Sequence, residues 1–148
     1  MERRTEMNFY FSTQRPVSIG TYPGKPAWFN NFDKRIDVPC INWKAWGVLE
    51  YTKPLTDKEV KGYDLAPANL VWIGCYRDLY NLDFWDRPDK YGDDNYMEVL
   101  MPVDWVKENI ELTGYENYEE FSKEYTSDNT QELYWKAEAD GVIYGREF

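Results

Sequence analysis

Glu116, Glu120 and Glu124 recur at steps of four residues, with Glu119 beside them and Asp128 and Glu132 further along the chain. On an α-helix each residue rises about 1.5 Å, so the first three carboxylates would stand roughly 6 Å apart along one face. Such a row makes and breaks no bonds. It offers a negative surface to Lys and Arg side chains that otherwise hold nucleic-acid phosphates, while like charges at this spacing weaken the helix by a few tenths of a kcal/mol per pair. Glu116, Glu119, Glu120, Glu124, Asp128 and Glu132 are therefore the expected contacts for a basic partner surface. A solvated helix face that only confers solubility would have the same composition.

Other chemistries have less support. The chain has no His, so it cannot by itself build a Ser-His-Asp or Cys-His nucleophile or a His-ligated zinc site. Asp83, Asp86, Asp89, Asp93 and Asp94 gather around Gly92, but their spacing is not that of an EF-hand loop, and Arg87 and Lys90 compete for the same carboxylates. Two carboxylates can run acid-base chemistry without His, with or without Mg²⁺, although no spacing singles out a pair. Neither GxGxxG nor GxxxxGK[ST] occurs. No catalytic residue, metal or cofactor is expected. Cys40 and Cys75, 35 positions apart, are read as two separate buried thiols. Tyr10, Trp28, Trp43 and Trp46 could stack on unpaired bases while Arg15, Lys34 and Arg35 meet phosphate. The competing role for these aromatics is core packing, since Leu and Ile are few.

The elements that must carry these residues follow from pattern. Residues 7–13 (MNFYFST) and 15–21 (RPVSIGT) read as extended, with a turn over residues 22–26 where Gly24 sits between prolines. Residues 32–38 and 45–52 are further strands, the second burying its Leu49 and Tyr51 face. Thr56 followed by Glu59 is a capping box that opens a short helix stopped at Gly62. LVWIGCY at Leu70–Tyr76 fits a buried strand or a helix segment. Residues 83–95 form a polar loop before a strand over 96–101. Beyond Pro102 the period changes. A helix opens at Val103, Tyr115, Tyr118, Phe121 and Tyr125 make one aromatic helical stripe, and Ser127 caps a last helix that Gly141 ends.

These elements predict an α+β domain spanning residues 1–148, with an antiparallel sheet from the N-terminal two thirds and helices in the C-terminal third. Residues 1–6 are read as an extension, and Met7 as an alternative start. The 148 residues suffice for one core, and 43% hydrophobic with 18% aromatic residues argues for a packed interior despite 30% charged residues. No apolar stretch approaches the roughly 20 residues of a membrane span. The net charge of −10 is unevenly spread: residues 1–44 have seven bases and four acids, whereas residues 104–148 have four bases and twelve acids. That field repels phosphates and attracts basic protein surfaces, so direct nucleic-acid binding is disfavoured.

Residues 8–23 (NFYFSTQRPVSIGTYP) and 45–65 (AWGVLEYTKPLTDKEVKGYDL), with YENYEEFSKEYTSDNT at 115–130, resemble short accessory proteins of bacterial mobile elements and phages, of the anti-restriction or anti-CRISPR kind. The resemblance implies a cytoplasmic, non-enzymatic acidic inhibitor in a bacterial host cell that occupies the basic groove of a nucleic-acid-directed defence enzyme. A carboxylate and Mg²⁺-dependent enzyme acting on nucleic acid or nucleotide, and a single-stranded RNA-binding module built on the N-terminal aromatics and bases, are the alternatives. The target and the oligomeric state are not specified by the sequence.

Overall fold

In a computed structural model of the protein, the described residues are 7–18, 20, 22–76, 96–127 and 129–147. The chain forms two compact units, Met1–Leu70 and Val71–Phe148, and both combine sheet and helix in an α+β arrangement.

The first unit is built on a four-stranded antiparallel sheet in the order β2-β3-β1-β4, formed by β1 (Asn8–Ser12), β2 (Trp28–Val38), β3 (Trp43–Tyr51) and β4 (Leu65–Ala68). Pro67 lies on an edge strand, where its missing N–H costs no ladder bond. The capping box at Thr56 forms as expected. Its hydroxyl accepts the Glu59 N–H at 3.2 Å, the Thr56 N–H donates to the Glu59 carboxylate at 3.0 Å, and α1 runs over Asp57–Gly62. Tyr10, Val17, Tyr22, Leu49, Tyr51 and Leu65 make the core, with Leu55, Val60 and Tyr63 packed against it.

Because half of this core is tyrosine, its buried hydroxyls need partners. Tyr51 donates to the Pro23 carbonyl at 2.8 Å, Tyr10 accepts the Leu55 N–H at 2.8 Å, and Tyr22 shares a hydrogen bond with Ser12. Burial, helped by Glu59 and the neighbouring tyrosines, pushes the Tyr51 phenol up to about 12. Sequence pattern assigned β3 one buried face. Instead Gly47 through Tyr51 are all buried, Glu50 included, so this part of β3 is covered on both faces. Residues 16–18 are not a strand, and β2 begins at Trp28 rather than residue 32.

In the second unit the sheet order is β5-β6-β7, from β5 (Leu70–Tyr76), β6 (Tyr96–Pro102) and β7 (Gly145–Glu147). β7 pairs antiparallel with β6, Leu100 opposite Gly145, so the chain's last strand returns to the sheet. Pro102 sits at the N-cap of α2 (Val103–Glu108), where its lack of an N–H is harmless. A 3-10 turn over Ile110–Thr113, α3 (Tyr118–Phe121) and α4 (Thr130–Asp140) follow. Gly141 ends α4 at φ 71°, the left-handed geometry glycine permits. The residue at the start of α4 is Asn129, not Ser127. The Ser127 hydroxyl instead donates to the Thr113 carbonyl at 2.7 Å and accepts the Asn129 N–H. Ile73, Val99, Leu100, Val106, Phe121 and Leu133 are among the buried side chains. Among the described residues no helix is long and apolar enough to cross a membrane.

Candidate partner-binding surface

The predicted eleven-residue helix over 115–125 does not form. α3 is four residues long, opened by Asn117, whose side chain accepts the Glu120 N–H at 2.9 Å. It unwinds through Ser122 to Glu124 and is closed by Tyr125 at φ 55°. The aromatic positions still find one another, but across a turn. The buried Phe121 ring lies 5.6 Å from Tyr115 and 6.1 Å from Tyr125, both near edge-to-face, and Tyr118 lies 6.2 Å from Tyr125. Burial and a hydrogen bond to Tyr125 raise the Tyr118 phenol above its ordinary value, and Lys107 Nζ sits 5.3 Å from the centre of its ring. A hydrophobic anchor thus fixes the turn. The intervening acidic side chains remain in solvent.

Glu116, Glu119, Glu120, Glu124 and Glu132 are all exposed; Asp128 lies outside the described residues. The straight row of Glu116, Glu120 and Glu124 is replaced by carboxylates distributed around the turn, Glu116 before the cap and Glu124 after the helix. Glu119 and Glu120 occupy the first turn of α3, where unpaired N–H groups favour negative charge. Glu120 shares its carboxylate with Lys123 at 3.0 Å. Arg146 is engaged with Glu138 at 3.2 Å and Lys136 with Asp140 at 3.7 Å. Glu116, Glu119 and Glu124 make no ion pair with a described residue. Among the described residues, three carboxylates of the predicted set are therefore offset by no base.

The alternative stacking set divides sharply. Tyr10 is core, Trp28 and Trp46 are half-buried, and Arg15 pairs with Asp64 at 3.2 Å. Trp43 alone projects, 58% exposed, with the Arg35 guanidinium 5.9 Å from its ring centre. It stands at the β2–β3 hairpin, where Val38 pairs with Trp43 and Asp37 with Lys44 around the Pro39–Ile41 turn. A groove of about 550 Å³ there is lined by Arg35, Asp37, Pro39, Asn42, Trp43 and Lys44. Asn42 and Lys44 flank Trp43 in the chain and were not singled out from sequence pattern; the closed hairpin is what brings Arg35, Asp37 and Pro39 across to them. Cys40, expected to be buried, is exposed on the same turn, whereas Cys75 is buried and not joined to it. Burial pushes the Cys75 thiol up to about 12, partly offset by a hydrogen bond involving Thr130. Among the described residues no group of three or more Cys, Asp or Glu side chains is placed to hold a metal ion; the aspartates of 83–94 lie outside those residues.

The division of charge coincides with the division of structure. Of 17 bases and 27 acids, residues 1–70 hold ten and eight and residues 71–148 hold seven and nineteen, giving +2 and −12. Residues 5–70 match the family model DarA_C, Defence against restriction A C-terminal. The DarA_C match stops at the residue where the first unit stops, and it contains both N-terminal stretches that carried the resemblance, 8–23 and 45–65. It supports an anti-restriction accessory protein. It covers under half of the 148 residues and none of the acidic unit. No curated protein and no solved structure matches the chain.

Proposed function

We propose that this protein is a non-enzymatic anti-restriction inhibitor whose acidic second unit occupies the basic groove of a nucleic-acid-directed defence enzyme. The observation that carries the reading is the −12 charge of residues 71–148 beside a DarA_C-matching unit of +2. Glu116, Glu119, Glu120, Glu124, Asp128 and Glu132 are the contact set, and their role is to pair with Arg and Lys side chains that otherwise hold phosphate. An anchored turn suits this task, since its backbone need not be ordered when the partner arrives. Surface carboxylates of this kind act through long-range attraction and through exclusion of the phosphate competitor.

Cleavage of a DNA substrate by a purified restriction enzyme tests the reading. The expected result is stoichiometric protection that added DNA relieves by competition and that involves no turnover of substrate by the inhibitor. Protection that is catalytic in inhibitor, or that additional DNA leaves unchanged, contradicts it.

A further inference from the structure

The β2–β3 hairpin has features that the acidic reading does not use. Trp43 is the most exposed large hydrophobic side chain among the described residues, at 58%, ahead of Trp135 at 43% and Phe29 at 38%. It stands in a groove beside two cations, Arg35 and Lys44, and neither makes an ion pair with a described residue. Asn42 is held in the left-handed region at φ 56° by the turn, its N–H donating to the Pro39 carbonyl at 3.0 Å. We infer that this hairpin groove binds single-stranded nucleic acid, an unpaired base stacking on Trp43 while the flanking phosphates meet Arg35 and Lys44.

Three considerations favour that ligand. An exposed indole beside unpaired cations matches a ligand that carries both a π face and a phosphate, the pairing on which strand-binding surfaces are built. Asn42 and Asp37, also in the groove, supply a donor and acceptors for a base edge, whereas an acidic peptide would use the cations and leave the indole idle. The charge that opposes phosphate belongs to residues 71–148, whereas the unit that presents the hairpin has +2. This site is distinct from the acidic contact set, and it is read out on a different ligand.

Fluorescence anisotropy of labelled oligo(dT) and oligo(rU), titrated with the full chain at low salt, tests the inference. Binding of one or both strands in preference to a duplex of equal length is expected. Trp43→Ala should weaken it about tenfold, Trp43→Phe should restore most of the loss, and Trp135→Ala should leave it unchanged. The double variant Arg35→Ala, Lys44→Ala should flatten the salt dependence by about one to two ion equivalents. Circular dichroism identifies a variant that fails to fold, in which case Trp43→Phe and the double variant decide the matter. Absence of strand binding, equal losses in Trp43→Ala and Trp135→Ala, or displacement of the strand by an oligoglutamate peptide at similar concentration overturns it.

Discussion

Two thiols in one short chain meet opposite environments, and their chemistry should diverge accordingly. Cys40 lies in solvent on the hairpin turn, and Cys75 is fully enclosed in β5 with its thiol pushed up to about 12. A disulfide reagent at mildly alkaline pH should therefore titrate one thiol in the native protein and two in denaturant, because the thiolate is the reacting species. The same shift has a stability consequence. Cys75 and Tyr51 both hold their protons more tightly when folded, from 9.0 and 10.0 up to about 12 each. Their favourable contribution is complete below the unfolded values and is lost as pH rises through the folded ones. The melting temperature should accordingly fall between about pH 9 and 12, which a calorimetric pH series would register, and Cys75→Ala should remove part of that fall.

Gly47 illustrates a residue whose identity is fixed by closeness. A Cβ at this position would lie 2.5 Å from the Asn30 carbonyl oxygen and 2.6 Å from Val17. The oxygen belongs to the neighbouring strand and cannot swing aside, so Gly47→Ala should cost about 1–3 kcal/mol by overpacking. A lowered urea midpoint with an unchanged slope would measure it.

Among the elements, those with local determinants were the ones legible in the sequence. The capping box at Thr56 and Glu59 involves four consecutive residues, and α1 formed where it pointed. Thr56→Ala should lower stability by about 1 kcal/mol in urea unfolding. β1, β3 and β6 were similarly visible from short aromatic and β-branched runs, whereas the uniformly apolar run of β5 left strand and helix open. Residues 115–125 were misread because steps of three and four between aromatics satisfy a helix and a ring-stapled turn alike. What decided between them was the cap at Asn117 and the left-handed Tyr125, neither of which leaves a periodic trace. β7 was not anticipated either, since three residues at a chain end acquire meaning only from β6 opposite them.

At the scale of the whole molecule, charge and architecture are partitioned at the same point, near residue 70. The acidity of the C-terminal half was legible from composition alone; that a compact unit would end where the DarA_C match ends was not, because the extent of such a unit depends on which residues pack with which. Among the described residues the buried carboxyl, Glu50, belongs to the first unit, whereas Glu116, Glu119, Glu120, Glu124 and Glu132 are exposed. Exposed carboxylates of one sign act together in a long-range attraction.

The most direct test of that attraction is the salt dependence of association between the full chain and a purified restriction enzyme, compared with the variant Glu116→Lys, Glu120→Lys, Glu124→Lys. Steep weakening of the native complex with salt, and at least a tenfold lower affinity with a flattened salt slope in the variant, is the predicted result. Equal affinity and equal slope for the two proteins would contradict the account.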